Sequence, residues 1–359
     1  LMTLKSALYA CMLCAFVVLG ILVLLVLPNF SRDLTGAALE REIQTRTSSL
    51  ALELSRNLHA DWQQLNDLSE EIGEMDPDMA RVFLDGVTTG GTISWSGFAT
   101  VDGTVRAASG GLLEGQSVAA RPWFSAGLTG AFAGDVHEAV LLQSLLAPEA
   151  ETPLRFIDLA RPVVDAGGRT IGVVGFHIDA AWLEAYLAEA AAIRGIDVVL
   201  VSADGTPAIS TVALGDDPSS IAAIRAAGAG AAGRMIEDWP DGQRSISAVV
   251  TNMTYEDLPS FGWRIVGRIP TDSFAFAQTQ LLRHVLALGG AAAAVFVLAA
   301  LVFVTVFLRP LTGLIATAER ISLGEDAYPV ETTSSSEAAR LGTALSRLRS
   351  ARDPDGPNG

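Results

Sequence analysis

The sequence predicts an α+β protein that is anchored in a membrane by two helices. Three features lead to this prediction: two long apolar runs, a helical period that continues after the first run, and two sets of strand-like segments between the runs. Hydrophobic residues make up 50% of the 359, and 34 glycines come in addition, so the apolar content exceeds that of an average soluble domain.

Residues 7–27 and 285–308 are uncharged or nearly so, and each run is long enough as a helix to cross a hydrocarbon core of about 30 Å. A cleaved signal peptide is the alternative for the first run. That run is too long for a signal peptide, and Pro28, Asn29 and Phe30 offer no small-x-small cleavage site. We therefore predict two membrane spans, with residues 1–6 in the cytoplasm.

The net charge lies entirely between the two runs. Residues 28–283 contain 17 arginines and 33 carboxylates, which accounts for the whole formal charge of −16. Such a surface repels nucleic acid, so a nucleic-acid partner is excluded. Both cysteines, Cys11 and Cys14, fall in the first run, so the segment between the runs has no disulfide framework.

A long helix is predicted after the first run. From Arg32 to Gly73 apolar residues recur mostly at intervals of three and four, as they do on one face of a helix. Asp76, Pro77 and Asp78 break this helix, and a short helix to Val87 follows. The region 32–87 is thus predicted to be mainly helical.

Two sets of strands follow, joined by a helix over Ala180–Arg194. Turn residues bound each strand, and residues 221–232 read as a helix or loop rich in Ala and Gly. The predicted strands are 92–101, 104–108, 157–164 and 170–178 in the first set, and 196–202, 244–251 and 263–268 in the second.

Residues 121–182 concentrate aromatic, cationic, acidic and imidazole side chains in an otherwise aliphatic sequence. Alternation along the strand 170–178 places Val173 and His177 on one face. Rings that desolvate a ligand and charges that orient it are typical of a small-molecule cleft. The alternative is that the rings form core and the charged groups form structural ion pairs. The candidate binding residues are Arg121, Trp123, Phe124, His137, Arg155, Asp158 and His177.

These residues carry a resemblance to a known family. The Arg121–Phe124 stretch, followed by 134–142 and 154–177, resembles the membrane-distal half of a double Cache domain, an extracytoplasmic sensor of bacterial chemoreceptors, histidine kinases and diguanylate cyclases. The resemblance covers residues 30–280. In the family's amino-acid-binding members, an Asp that grips the ligand ammonium stands where this chain has His177.

The resemblance implies two PAS-like antiparallel-sheet subdomains on the long N-terminal helix, in the periplasm. The sensor would occupy residues 28–283, with a membrane-distal subdomain at 88–195 and a membrane-proximal one at 196–280. The distal subdomain would bind a small molecule. The proximal half reads as a spacer without a polar cluster of its own.

After the second run, two short helices carry apolar residues at heptad intervals, at Leu311 and Leu314 and again at Leu341, Leu345 and Leu348. Residues 309–352 resemble a HAMP relay, a parallel coiled coil that forms a four-helix bundle only as a dimer, so a homodimer is expected. Residues 353–359 read as a disordered tail. No kinase, nucleotide or cyclase motif is found, so output is expected from a truncated part of the chain or a cytoplasmic partner.

The sequence therefore predicts an inner-membrane receptor for a small ligand, not an enzyme and without a cofactor. A membrane scaffold that binds no ligand is one alternative. Another is an extracytoplasmic enzyme with His137, Glu138, Asp158 and His177 as metal ligands or acid/base groups. The enzyme is disfavoured because His137 falls in a segment that reads as helix and because no Ser or Cys nucleophile setting accompanies it.

Overall fold

The computed structural model describes residues 4–138, 153–331 and 335–352. The chain divides into two compact units: a globular unit, Leu34–Ala275, and a terminal unit, which combines Leu1–Asp33 with Phe276–Gly359. The two units are described separately. The predicted tail 353–359 and the stretch 139–142 of the family resemblance lie outside the described residues.

One helix, α1, runs over Leu4–Glu71 and forms the spine of the globular unit. Its side chains at 50, 54, 58 and 65 are fully buried, at intervals that keep them on one face of the helix. A short 3-10 turn ends it, and α2 (Pro77–Thr88) follows. The Asp76 carboxylate caps α2 by accepting from the backbone N–H groups of Asp78 and Met79. The predicted helix break is therefore confirmed.

The first sheet is antiparallel and has the order β2-β1-β5-β4-β3. A short helix, α3 (Pro122–Gly127), lies between β2 and β3 in the chain. The strands are β1 (Ile93–Thr100), β2 (Val105–Ala108), β3 (Phe132–Glu138), β4 (Arg155–Val164) and β5 (Thr170–Asp179).

The two faces of the first sheet have different partners. One face, with Ile157, Leu159 and Phe176, joins the core that α1 forms. The opposite face, with Phe156 and Val173, forms a separate core with α3 and the loop before it. Because side chains alternate along each strand, a residue's position decides which of the two cores it enters.

A second sheet repeats the strand order of the first. Helix α4 (Ala180–Arg194) connects them; its N-cap is Asp179 and its C-cap is Gly195 in the left-handed conformation. The second sheet, with the order β7-β6-β10-β9-β8, also packs on α1. Its elements are β6 (Asp197–Val201), β7 (Pro207–Ser210), α5 (Ala222–Gly228), β8 (Gly233–Asp238), β9 (Arg244–Val250) and β10 (Arg264–Pro270).

The second sheet comes close to α1 at Gly267 of β10. A Cβ atom there would lie 2.0 Å from Thr47 Oγ1 of α1, so only glycine permits the contact. The globular unit thus consists of two similar subdomains on one helix, which confirms the predicted α+β arrangement of two PAS-like sheets. We call them the first subdomain (around β1–β5) and the second subdomain (around β6–β10).

The terminal unit contains α6 (Ala275–Phe303), a π-helical turn over Val304–Leu308, α7 (Arg309–Ser322) and α8 (Ser336–Arg352). Among the residues searched, which are the described ones, one helix is long and apolar enough to cross a membrane, Arg283–Ser322. Residues 7–27 belong to α1. The two-span topology stays a prediction.

Two details of the sequence interpretation are wrong. His137 does not lie in a helix, because residues 132–138 form β3. The edge strands β7 and β8 were also not predicted, since one is only four residues long and the other alternates half-buried with exposed positions.

Asp61 on α1 generates a test of the fold. It is partly buried, and burial raises the pKa of its carboxyl to about 6. An unfolded Asp titrates near about 4, so the folded state binds more protons between these values and stability falls as the pH rises through this window. Asp61→Asn should therefore raise the free energy of unfolding at pH 7.5, by on the order of 1 to 3 kcal/mol.

The gain from Asp61→Asn should nearly vanish at about pH 3, where the carboxyl is mostly neutral in both states. Chemical unfolding of the full chain in detergent at the two pH values measures it. Asp67→Asn, which removes an exposed carboxylate of the same helix, is the matched control. An equal effect of Asp61→Asn at both pH values would show that burial of the charge is not the cause.

Candidate ligand-binding site

A buried aspartate–histidine pair lies at the centre of the candidate site. Asp158 on β4 and His177 on β5 are direct cross-strand partners, so their side chains project from the same face. His177 Nδ1 lies 2.5 Å from Asp158 Oδ1. Asp158 is 3% exposed and His177 is 6% exposed. A carboxylate this deeply buried needs a hydrogen-bonding partner, and the imidazole provides one.

A second imidazole approaches the same carboxylate from the edge strand. His137 on β3 lies opposite Phe156, and its Nε2 atom is 3.5 Å from Asp158 Oδ2. Its Nδ1 atom lies 3.1 Å from the carbonyl oxygen of Asp135, which orients the ring. The side chain of His137 is 39% exposed. Asp158 is thus held between one buried and one accessible imidazole, and His137 is the member of the group that a ligand can reach.

Aromatic rings surround His177. The ring of Trp95 stacks on it with centroids 4.9 Å apart, and Trp123 meets it edge-on at 5.8 Å. Phe156 is tilted against it at 6.0 Å. These rings exclude water from the Asp158–His177 pair and so strengthen its electrostatic interaction.

Trp95 was not among the residues predicted from sequence. It lies on β1, which pairs with β5 as well as with its neighbour in the chain, and Trp95 faces His177 across that pairing. The indole N–H of Trp95 donates to the carbonyl of Leu112, which fixes the ring. Only the strand order of the sheet reveals this residue.

Glycine provides the space for the tryptophans. A Cβ at Gly175 would lie 2.8 Å from two carbons of the Trp123 ring. A Cβ at Gly97 would lie 2.3 Å from Trp95. The second glycine of the Gly-Val-Val-Gly stretch in β5 is therefore required because a bulky ring lies flat on the strand.

Helix α3 presents the predicted Arg121–Phe124 element. Trp123 and Phe124 are 3% and 2% exposed and belong to the core beneath α3. Arg121 is the N-cap residue of α3 and is exposed. Within the described part of the chain, no carboxylate oxygen lies within 4.0 Å of its guanidinium. Both rings are thus core residues, whereas Arg121 is exposed and makes no ion pair with the residues that the structure describes.

Arg155 is not brought into this group. Its guanidinium donates to the carbonyl of Ala208 at 3.1 Å and pairs with Glu184 of α4. It therefore links the first subdomain to the second. The alternation of β4 explains this, because Arg155 lies on the face opposite to Phe156 and Asp158.

Asp135, two residues before His137, forms a further link between the subdomains. Its carboxylate accepts from the indole N–H of Trp263 at 2.6 Å, the Ser202 hydroxyl at 3.1 Å and the backbone N–H of Ala203 at 3.0 Å. All three donors belong to the second subdomain. Strand β3 therefore carries one residue of the candidate site and the main polar contact between the subdomains.

The second subdomain has a polar cluster of its own, so the prediction that it lacks one is wrong. Arg268 on β10 is 3% exposed and pairs with Asp197 at 2.9 Å and with Asp241 at 2.5 Å. Its guanidinium lies 4.5 Å from the ring centroid of Trp239. The hydrogen bond from Arg268 lowers the pKa of Asp241. The one guanidinium of Arg268 is thus shared by two carboxylates, so the buried cation is fully paired.

No protein-family model matches the sequence, and no curated protein matches it. Solved structures do match in fold. The ligand-binding domain of the Campylobacter jejuni chemoreceptor Tlp3, in complex with 4-methylisoleucine, has a TM-score of 0.52 at 10% identity, covering 66% of this chain and 92% of that one. The ligand-binding domain of the Pseudomonas aeruginosa PAO1 amino acid chemoreceptor PctB, in complex with L-Arg, has a TM-score of 0.51 at 17% identity, covering 72% and 99%.

An extracellular ligand binding receptor from Desulfohalobium retbaense matches with a TM-score of 0.50 at 14% identity. The match covers 63% of this chain but only 40% of that receptor. These three structures share the fold of two sheets on a long helix. The globular unit therefore has the Cache fold of bacterial extracytoplasmic sensor domains, as the resemblance implied.

Gly175 tests the packing of the site. Gly175→Ala should force the Trp123 ring away from β5 and destabilise the protein by about 1 to 3 kcal/mol, because a methyl group in a filled core overpacks it. Gly233→Ala on β8 is the control, since a Cβ there meets nothing within 4 Å. Thermal unfolding of both full-length variants measures the difference. Equal melting temperatures would contradict the contact between Trp123 and β5.

Proposed function

We propose that this protein is a membrane-anchored receptor that binds a small extracytoplasmic molecule at the Asp158–His177 site. The observation that carries the proposal is a carboxylate buried between two imidazoles on the outer face of a Cache-type sheet, with one imidazole, His137, still accessible. Buried ionisable groups beneath aromatic walls are typical of ligand sites, because they are costly to maintain for folding alone.

The side chains favour a ligand with both an acceptor and a donor group. Arg121 stands exposed two residues before Trp123 and would bind a carboxylate or carbonyl oxygen. His137 and Asp158 would accept or share a proton with an N–H group. An amino acid, or a related small amine with an acidic group, has both the acceptor for Arg121 and the N–H donor for His137 and Asp158. The ligands in the Tlp3 and PctB complexes, 4-methylisoleucine and L-Arg, belong to this chemical class.

His177 defines how this site would differ from the family's amino-acid pattern. In the resemblance an Asp grips the ammonium at this position, whereas here the carboxylate comes from Asp158 on the adjacent strand, directly across from His177. The carboxylate would thus lie one strand away from its position in the family pattern, in hydrogen-bonding contact with an imidazole. We infer that the ligand's N–H group contacts the site at His137, the accessible imidazole, and not at position 177.

The signal would travel through strand β3. A ligand that displaces His137 acts on the strand that also carries Asp135, whose carboxylate holds the second subdomain through Trp263, Ser202 and Ala203. From there we propose that it passes through the second membrane span to residues 309–352, acting as a HAMP relay. The subdomains at 88–195 and 196–280 would be membrane-distal and membrane-proximal.

The helices α7 and α8 support the HAMP proposal. Gly324, in the left-handed conformation, follows α7, and the apolar side chains of Leu341 and Leu348, seven residues apart on α8, are exposed in the single chain. Exposed apolar residues at heptad spacing need a partner helix. We propose that a second copy covers them, so that the receptor is a homodimer in the inner membrane and signals to a cytoplasmic partner or output domain.

Arg121 gives the most direct test of ligand binding. Because its side chain is exposed and unpaired within the described residues, Arg121→Ala should leave the ligand-free melting temperature nearly unchanged. It should weaken ligand binding by about 10- to 150-fold, since a charge-assisted contact contributes about 1.5 to 3 kcal/mol. Thermal shifts of the full chain in nanodiscs, screened with amino acids, small amines and carboxylates, provide the measurement.

Arg169→Ala is the control for Arg121, because Arg169 is an 83% exposed arginine on the hairpin turn between β4 and β5, and its surface ion pair with Asp165 at 3.1 Å contributes little to stability. Arg169→Ala should change neither the ligand-free melting temperature nor the affinity for the ligand. A large fall in the ligand-free melting temperature of Arg121→Ala, with the ligand-induced shift retained, would make Arg121 a structural residue. No shift with any compound would favour the scaffold alternative.

Reporter fusions test the proposed topology. A reporter fused after Ser55 should be exported, and one fused after Gly324 should be cytoplasmic, because two spans separate the globular unit from both cytoplasmic ends. Alkaline phosphatase and a fluorescent protein that folds only in the cytoplasm report the two sides. Cytoplasmic signal from the Ser55 fusion would contradict the two-span topology.

A further inference from the structure

A second group of potential metal ligands lies where the loop between β9 and β10 meets the spine helix. His59 of α1 faces two consecutive loop carboxylates: its Nε2 atom is 2.8 Å from Asp257 Oδ1 and 3.7 Å from Glu256 Oε2. Within the described residues, this is the one group of three His, Cys or acidic side chains whose ligand atoms all lie within 4.8 Å of one another. The sequence interpretation missed it, because 198 residues separate His59 from Asp257.

While Asp257 is ionised, the hydrogen bonds of this group cannot all be satisfied at once. The terminal amide nitrogen of Gln63 lies 3.0 Å from both His59 Nε2 and Asp257 Oδ1, so three polar atoms touch one another. If His59 Nε2 carries a proton, it donates to Asp257 but faces another donor on Gln63. If it carries none, it accepts from Gln63 but directs its lone pair at the carboxylate oxygen.

Reversing the amide of Gln63 does not remove the conflict. Its oxygen would then accept from a protonated His59 but would face the Asp257 oxygen at the same 3.0 Å. While Asp257 is ionised, every arrangement leaves one contact that joins two donors or two acceptors. A cation resolves this, because it binds the lone pairs of the imidazole and the carboxylates together.

The geometry points to a divalent cation site formed by His59, Glu256 and Asp257, and we propose that it binds Zn²⁺. Bond lengths of about 2.0 to 2.2 Å in a tetrahedral zinc site place the ligand atoms about 3.3 to 3.5 Å apart. The observed 2.8 and 3.7 Å lie on either side of this spacing, so small side-chain movements suffice. An imidazole with two carboxylates favours zinc over calcium or magnesium, which prefer oxygen ligands only.

The site is accessible and well supported. The Glu256 and Asp257 side chains are 62% and 56% exposed, which gives a metal ion a path from solvent, whereas His59 is 11% exposed and fixed by packing. The second Asp257 oxygen accepts from the Trp62 indole at 3.1 Å and from the Asn66 amide at 3.3 Å, which orients the carboxylate. An open position remains for water.

Zinc at this site would join the second subdomain to α1. The loop residues Leu258 and Phe261 are already buried against the common core, and the metal would add a link that depends on zinc concentration. The site is independent of the Asp158–His177 group, so it would respond to metal whether or not that group binds the proposed ligand.

Zinc titration of the full chain in detergent, after removal of metal with a chelator, tests the proposal. The wild-type protein should bind one Zn²⁺ per chain in competition with a chromophoric chelator, and its melting temperature should rise with zinc but not with the same concentration of Mg²⁺. Glu256→Gln and His59→Gln should each weaken zinc binding at least about tenfold, because each removes one ligand.

Two controls locate the metal. Glu189→Gln, which removes an exposed carboxylate from α4, should bind zinc as the wild type does. His137→Gln should also retain it, and loss of zinc in that variant would place the metal at the other histidine group and overturn the proposal. The exposed Glu256 leaves folding intact when changed, which the metal-free melting temperature verifies. Absence of zinc uptake by the wild type, or unchanged affinity in Glu256→Gln, would also overturn it.

Discussion

The apolar stripe of α1 is the interaction on which the globular unit depends. Leu50, Leu54 and Leu58 are fully buried, and the inner faces of both sheets join the same core along this helix. Because each sheet uses one face for the spine, its other face is available for different chemistry. The first sheet places the Asp158–His177 pair there, with a partly accessible imidazole. The second sheet places the fully paired Arg268 there, so the duplicated scaffold carries an open group in one half and a closed one in the other.

Much of this fold could be predicted from the sequence, because the core imposes regular periods. Helix α4 has the predicted bounds, since Asp179 caps its start and Gly195 its end. Central strands such as β5 are buried on both faces and read as apolar runs. The edge strand β3 carries Gly134, Asp135 and His137 and is only partly covered, so its composition resembles that of a loop. Strand propensity alone therefore does not identify an edge strand, which forms because it pairs with a single neighbouring strand.

The candidate site was predictable only in part, for a geometric reason. Asp158 and His177 stand on two strands of one hairpin, so their pairing follows from the turn between them. Trp95 reaches the site through a pairing of distant strands, which leaves no local pattern. Arg155 shows the opposite error. It is close to Asp158 in the sequence, but strand alternation sends it to the other face, where it binds Ala208 and Glu184. Whether two residues of a strand share a site therefore depends less on their distance in the sequence than on whether they lie on the same face of the strand.

The strength of the link at Asp135 fits the role proposed for β3. A two-state receptor that moves from 1:99 to 99:1 needs about 5.5 kcal/mol of differential binding. Hydrogen bonds to a charged group contribute about 1.5 to 3 kcal/mol each, and Asp135 accepts three of them from the second subdomain. The contacts of this one carboxylate are thus of the same order of free energy as the switch requires. A strand that joins His137 to such a contact can transmit binding without a large movement of either core, because both cores are fixed to the same helix.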